Sequence, residues 1–139
     1  MQYRILMIEN DSDDRFLTED VFRAEGLDAD IHFIYSTDAY SYIAGTRPRP
    51  HLILLDSNTR PHEFTDMIRH IRQAEGYAPV PIVVISNTSR PEDIQKSYAC
   101  GANSFIRKPD DYPGAIFKIK AFINYWFQSV ELPLAQAVI

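Results

Sequence analysis

Polar side chains capable of phosphate chemistry follow four separate apolar runs of this sequence. Each run resembles a strand buried in a parallel sheet, such as the run that ends immediately before Asp56. Because the carboxyl ends of parallel strands meet at one edge of a sheet, where open α/β folds carry their sites, the four positions are predicted to share a pocket. In chain order they are Glu9-Asn10, Asp56, Ser86 and Lys108-Pro109.

These residue types suit the transfer of a phosphoryl group. A carboxylate can attack phosphorus and form an acyl phosphate. Since two anions must then approach each other, a divalent cation and a fixed positive charge have to neutralise the transferring oxygens. Mg²⁺ is the usual cation, because it binds one or two protein oxygens together with water and phosphate oxygens. The predicted pocket offers the acids, the hydroxyl and the lysine that such chemistry requires.

Hydrophobic periodicity predicts five strands that alternate with five helices. The first strand is followed by acidic residues suited to a helix start, and Gly26 suits the end of that helix. Strand and helix alternation predicts crossover connections, and therefore a parallel sheet with helices on both faces, a three-layer α/β sandwich. The predicted strands cover residues 3–8, 29–35, 51–55, 81–85 and 103–106, and the predicted helices start near residues 11, 36, 64, 91 and 112, the last of them ending near Gln128.

Bulk composition predicts a single domain that binds neither nucleic acid nor membrane. The 139 residues, 45% of them hydrophobic, are enough for one core. A formal charge of −5 argues against nonspecific nucleic-acid binding, which requires clustered Lys and Arg. No apolar run approaches the roughly 20 residues of a membrane span. With Cys100 as the only cysteine and no signal-like start, a cytoplasmic location is expected.

The site residues, at these intervals and within this five-unit pattern, resemble the receiver domain of two-component response regulators. The resemblance covers residues 1–130 and leaves 131–139 as a C-terminal tail. It implies a flavodoxin-like sheet with strand order 2-1-3-4-5. The segment 13–17, together with Tyr125-Trp126 and Glu131-Leu132-Pro133, is similar to single-domain receivers of the type that partners phytochromes.

The resemblance also implies a role for each site residue. Asp56 would be the phosphoacceptor, and it would bind Mg²⁺ together with Glu9, Asn10 and the backbone carbonyl of Asn58. Ser86 and Lys108 would contact phosphoryl oxygens, and a cis Lys108–Pro109 bond would aim the lysine inward. Ser86 and Phe105 would form the switch, with an inward ring even before phosphorylation, while Asn87 and Thr88 would gate access.

These roles predict a phosphorelay protein rather than a conventional enzyme. The chain would take a phosphoryl group from a histidine kinase or a histidine phosphotransfer protein. It would catalyse its own phosphotransfer and dephosphorylation, and it would act through contacts with a downstream protein.

Three departures from the family pattern leave an alternative open. Asn10 stands where receivers usually have a second acid, which should weaken Mg²⁺ binding unless Asp11 compensates. The loop from Arg60 to Phe64 differs from the usual sequence, and Asn87 is larger than the usual residue. The alternative is a pseudo-receiver that binds partners without being phosphorylated.

The last predicted helix carries more aromatic residues than one buried face requires. Its apolar stripe is predicted to contain Ile116, Ile119, Ile123 and Trp126. Two explanations for the surplus remain: the tail folds back over it, or a homodimer forms through the fourth helix, fifth strand and fifth helix. The side chains predicted to lie outside the stripe are Phe117, Phe122, Tyr125 and Phe127.

Overall fold

A computed structural model describes residues 2–45 and 47–133, which fold into strands and helices in strict alternation. The predicted tail falls partly on residues 134–139, which lie outside the described residues. A 3₁₀ turn, Ser36–Asp38, precedes the second helix, and a π-helical turn, Asn124–Ser129, follows the fifth. The elements are β1 Tyr3–Ile8, α1 Ser12–Ala24, β2 Ala29–Ile34, α2 Ala39–Ala44, β3 Leu52–Asp56, α3 Phe64–Gln73, β4 Ile82–Ser86, α4 Pro91–Cys100, β5 Ser104–Arg107 and α5 Tyr112–Ile123.

The five strands form one parallel sheet in the order β2-β1-β3-β4-β5, as predicted. The central strand β3 is buried along its whole length. Its last residue, Asp56, lies opposite Ile85, so the carboxyl ends of β3 and β4 lie at the same level. The core has two clusters, one on each face of the sheet: α1 and α5 contribute to one, while α2 and α3 contribute to the other. The predicted three-layer sandwich is confirmed.

Local sequence explains where the helices begin and end. The side chain of Asp11 accepts a hydrogen bond from the Asp14 amide at 3.0 Å and caps α1. Asp111 caps α5 in the same way. α4 begins at Pro91 and ends before Gly101, whose φ of 118° is strained for any residue with a side chain. None of the helices within the described residues is long and apolar enough to cross a membrane.

The end of the last helix differs from the prediction. The α-helical part ends at Ile123, and the following turn is π-helical, with a hydrogen bond from the Val130 amide to the Tyr125 carbonyl. Phe122 and Phe127 are 6% and 8% exposed, so the prediction that both lie outside the apolar face was wrong.

Two features of the helix bury these rings. α5 packs against α1 as well as the sheet, so its buried face is wider than one stripe, and Phe122 lies 6.1 Å from the Phe22 ring. The π-helical turn then changes the helical phase, and Phe127 also reaches Phe22. Phe117 and Tyr125 are the two rings of the predicted surplus that remain exposed.

Candidate functional site

The carboxyl edge of the sheet brings three predicted site residues into direct contact. Glu9 directly follows β1, Asp56 ends β3, and Lys108 directly follows β5. Lys108 enters the pocket because its backbone amide donates to the carbonyl of Ser86 at 2.7 Å, which continues the ladder beyond β5. The sheet therefore fixes the site without help from a long loop.

Lys108 is the cation that holds the acids together. Its ammonium forms ion pairs with Glu9 at 3.3 Å, with Asp14 at 2.6 Å and with Asp56. The side chain is 16% exposed, and that of Asp56 is 5% exposed. Burial alone would lower the pKa of Lys108, but the hydrogen bonds to Asp14 and Asp56 outweigh it and raise the pKa. The lysine is therefore charged at every physiological pH.

Burial destabilises the charged form of Glu9, and here the nearby opposite charge does not compensate for it. It is 3% exposed, and burial, together with repulsion from Asp56, raises its pKa from 4.5 to about 8, despite the nearby Lys108. One lysine does not neutralise three carboxylates. The pocket accordingly favours either a proton on Glu9 or an additional cation.

The three carboxylates form an acidic cluster that fits a hard divalent cation. Glu9, Asp14 and Asp56 each offer an oxygen, and these oxygens lie within 4.8 Å of one another. Carboxylate oxygens are the ligands that Mg²⁺ prefers. An acidic cluster that could hold the predicted metal is therefore present, and it contains Glu9 and Asp56; their roles as metal ligands stay predictions.

Asp14 is a member of the site that sequence reasoning missed. The acidic run from Asp11 to Asp14 was interpreted as capping and first-turn charge, and Asp11 alone was considered as a further acid for the metal. Asp11 caps α1 through the Asp14 amide, and it is not one of the three acids whose oxygens cluster. The available signal was position: Asp14 lies in the first turn of a helix that starts directly above the carboxyl end of β1.

Asn10 lies beside the acidic cluster, and its amide is occupied by the neighbouring 3₁₀ turn. Its Oδ1 accepts from the Ser36 amide at 2.9 Å, and its Nδ2 donates to the Ser36 hydroxyl at 2.9 Å. Nδ2 also donates to the carbonyl of Asn58 at 3.1 Å. That carbonyl is the atom predicted to bind the metal, so Asn10 competes for it; the metal-binding roles of Asn10 and Asn58 stay predictions.

The remaining predicted residues lie at the ends of β4 and β5, where Ser86 provides a hydroxyl group. Ser86 is 2% exposed, and its Oγ accepts from the Thr88 amide at 3.1 Å. Asn87 and Thr88 are exposed, and Asn87 and Lys108 line a cavity between α1, α5 and the sheet. Phe105 is half-buried against the core, and its amide donates to the Tyr98 hydroxyl at 3.2 Å. The gating and switch roles of these residues stay predictions.

The predicted cis bond before Pro109 was wrong. Within the described residues, the cis peptide bond is Arg60–Pro61, and Lys108–Pro109 is trans. Lys108 points inward without it because its amide is anchored to Ser86 and its ammonium to the three acids.

Comparisons with known proteins agree with this geometry. The model of the response regulator receiver domain family matches residues 5–117. Response regulator Rcp1 of a Synechocystis species is 24% identical, over 94% of this chain and 93% of that protein.

Solved structures show the same fold. The phosphorylated cyanobacterial phytochrome response regulator RcpA has a TM-score of 0.87 at 22% identity, with 96% of this chain and all of that chain covered. The Mn²⁺-bound form of Rcp1 has a TM-score of 0.85 at 23% identity, with 95% and 99% covered. With a family match over most of its length and a carboxylate–lysine pocket at the expected edge of the sheet, this chain belongs to the response regulator receiver domain family.

Proposed function

We propose that this chain is a single-domain receiver that accepts a phosphoryl group on Asp56 in a Mg²⁺-dependent phosphorelay. The observation that carries the proposal is the contact between the buried Asp56 carboxylate and Lys108 inside a cluster of three acids. The relatives Rcp1 and RcpA support it, since both are response regulators and RcpA was solved in its phosphorylated form.

The reaction is a displacement at phosphorus. An oxygen of the Asp56 carboxylate attacks the phosphorus of a phosphohistidine; an O–P bond forms, the P–N bond breaks, and the histidine nitrogen takes a proton. Mg²⁺, held by Glu9, Asp14 and Asp56, would supply positive charge to the transferring oxygens.

The other residues of the pocket orient the groups that react. The Asn58 amide donates to Oδ1 of Asp56 at 2.7 Å, so Oδ2 would be the oxygen that attacks phosphorus. Oδ2 would give up its ion pair with Lys108 as the new bond forms. Lys108 then pairs with a phosphoryl oxygen, and Ser86 donates to another. Hydrolysis of the acyl phosphate by water returns the protein to its starting state without a separate phosphatase.

The donor would be a histidine kinase or a histidine phosphotransfer protein of the cytoplasm, and the output would be a contact with a downstream protein. Phe117 is 72% exposed and Tyr125 is 54% exposed, on α5 and the turn that follows it. Large exposed rings of this kind favour a binding surface. A homodimer through α4, β5 and α5 is the form of contact that would cover them.

Intact mass measurement tests the phosphoacceptor. Incubation with a small phosphodonor and Mg²⁺ should add one phosphoryl group, and Asp56→Asn should abolish the addition. Asp66→Asn, which removes an exposed carboxylate on α3, is the matched control and should still be modified. An unmodified wild type, with a donor shown to be active on another receiver, would contradict the proposal and favour a phosphorylation-independent interaction module.

A magnesium titration tests the role of Asn10. Asn10→Asp adds a charge and removes the donor that occupies the Asn58 carbonyl, so it should tighten Mg²⁺ binding and speed phosphorylation. Asn124→Asp adds the same charge at the far end of α5 and should leave the affinity unchanged. Equal affinities for wild type and Asn10→Asp would show that the Asn10 side chain does not limit the site.

A further inference from the structure

Ser57 lies beside the predicted switch residue on the neighbouring strand. Asp56 of β3 is in register with Ile85 of β4, so the next pair along the two chains is Ser57 and Ser86. The Ser57 amide donates to the Ile85 carbonyl at 2.9 Å and extends the ladder beyond Asp56. Residues at the same level of adjacent strands point to the same face. The two serine side chains therefore meet, and that of Asp56 points the other way.

Both acceptor positions of the Ser86 hydroxyl are occupied in this arrangement. Its Oγ accepts from the Ser57 hydroxyl at 2.9 Å and from the Thr88 amide at 3.1 Å. Its Oγ also lies 3.4 Å from Oγ1 of Thr88, a contact in which either hydroxyl can donate. A serine hydroxyl oxygen has two acceptor positions, and the Ser57 hydroxyl and the Thr88 amide use both. Among the contacts of the described residues, none joins this hydroxyl to Asp56 or Lys108.

We propose that Ser57 is a positioning residue that holds the Ser86 hydroxyl away from the acceptor carboxylate and so sets how readily the site closes on a phosphoryl group. The inference rests on the proposed function, because it concerns the same acceptor. For Ser86 to donate to an oxygen on Asp56, its Oγ has to move, and the bond from Ser57 is lost in that movement. The Ser57–Ser86 bond thus stabilises the open state and not the closed one.

The size of the effect follows from the loss of one neutral hydrogen bond. Such a bond contributes roughly 1 kcal/mol, which corresponds to about fivefold in an equilibrium constant. Ser57→Ala should therefore shift the site about fivefold toward the closed state. Ser57 is half-buried, and a threonine there retains the hydroxyl, so Ser57→Thr should behave like wild type.

Binding of beryllofluoride, a phosphoryl mimic that needs no kinase, measures this shift. The dissociation constant is determined in saturating Mg²⁺ for wild type, Ser57→Ala, Ser57→Thr, Ser86→Ala and the double alanine variant. We expect Ser57→Ala to bind about fivefold more tightly than wild type, and Ser57→Thr to match wild type. In the Ser86→Ala background, Ser57→Ala should have no effect, because the hydroxyl that it restrains is already absent.

Each other outcome counts against the inference. Equal or weaker binding by Ser57→Ala overturns it while the proposed function stands, since wild type still binds the mimic. An undiminished effect of Ser57→Ala without the Ser86 hydroxyl also overturns it, because Ser57 would then act on something else. A wild type that binds no beryllofluoride in Mg²⁺ contradicts the proposed function, and the inference falls with it.

Discussion

The two edges of the sheet hold their buried charges in opposite ways. At the carboxyl edge, three carboxylates share Lys108 and repel one another. At the amino edge, Arg72 donates to the carbonyls of Val80 and Gly101 at 2.5 and 2.9 Å, and it also reaches the Asn103 side chain. Arg49 likewise donates to the carbonyl of Glu75 at 2.8 Å. One edge pairs charge with charge, and the other pairs charge with neutral dipoles.

The arginines of the amino edge stabilise the fold, whereas the acids of the carboxyl edge respond to ligands and protons. A guanidinium bound to several carbonyls satisfies polar backbone where loops enter the strands, and it stays charged over the whole physiological range. A cluster of acids around one lysine changes state whenever a proton, a metal ion or a phosphoryl group arrives. We expect substitutions of these arginines to change the free energy of unfolding at all pH values, and substitutions at the carboxyl edge to act in a manner that depends on pH and metal.

The largest expected effect is at Arg72. Arg72→Met retains much of the aliphatic stem but leaves four backbone carbonyls and the Asn103 oxygen without this donor. The free energy of unfolding should fall by about 4 kcal/mol, since each buried unsatisfied group costs roughly 1–3 kcal/mol. Arg69→Met, on the same helix, removes only an exposed ion pair to Asp66 and should cost less than about 1 kcal/mol. Similar losses in urea unfolding for both variants would contradict the contrast.

The next effect is at Lys108, and it depends on metal. Lys108→Met leaves the three carboxylates without their cation, so in chelator at pH 8 the free energy of unfolding should fall by about 3 kcal/mol. Added Mg²⁺ should restore stability to this variant more than to wild type, because the ion supplies the missing charge. Lys96→Met removes an exposed lysine of α4 and should change little. A loss that Mg²⁺ does not reduce would argue against a shared cation site.

Glu9 provides a pH test of the carboxyl edge. Its pKa is raised in the folded protein, so the folded state binds more protons than the unfolded state between pH 4.5 and about 8. The contribution of Glu9 to stability is therefore fully present below pH 4.5 and is lost as the pH rises toward 8. In chelator, Glu9→Gln should be more stable than wild type at pH 8 by about 2 kcal/mol, with a smaller difference at pH 5. If the difference in the free energy of unfolding between Glu9→Gln and wild type were the same at both pH values, Glu9 would not be the titrating group.

His51 gives the smallest effect, with the opposite sign. It lies at the amino edge, is 6% exposed, and its Nδ1 accepts from the Arg4 amide at 2.9 Å. Burial, together with the Arg4 charge, lowers its pKa below 6.5. The folded state then binds fewer protons, so its contribution is present above pH 6.5 and is lost as the pH falls below it.

Replacement of His51 tests this second titration. Between pH 6.5 and 5, titration of His51 should lower the free energy of unfolding of the wild type by about 1 kcal/mol. His51→Asn offers a carbonyl oxygen in place of Nδ1 and should not show this loss. Thermal unfolding of wild type and variant across this range measures it. The same acid sensitivity in both proteins would assign it to another group.

The positions of the strands along the chain were predictable because their apolar runs are continuous and their ends carry polar residues, whereas their order in the sheet was implied by the resemblance to receiver domains. The predicted 51–55 and 81–85 each lie one residue before the observed β3 and β4, since Asp56 and Ser86 complete the ladders despite their polarity. Phe64, Met67, Ile68 and Ile71 of α3 are all buried, and their spacing of i, i+3, i+4 and i+7 places them on one face of the helix. A continuous or periodic pattern of apolar residues is contained in a short stretch of sequence, so it can be recognised without the structure.

Three roles that depend on distant partners were not predicted, those of Asp14, Arg72 and Phe127. Asp14 joins the acids only because α1 starts above the ends of the strands, and Arg72 finds its carbonyls in loops that follow it in sequence. The burial of Phe127 required a π-helical turn that 3.6-residue periodicity does not represent. In each case the three-dimensional arrangement determines the contact, and one stretch of sequence does not contain it.

The π-helical turn also equips the protein with an optical reporter. It places Trp126, the single tryptophan of the chain, half-buried beside the exposed Tyr125, with ring centroids 5.1 Å apart. At that separation the tyrosine transfers excitation to the indole efficiently, so emission comes from one ring in the turn that follows α5. The wavelength of the Trp126 emission would report the exposure of this ring to water, and the emission anisotropy would report rotational motion, without any added dye.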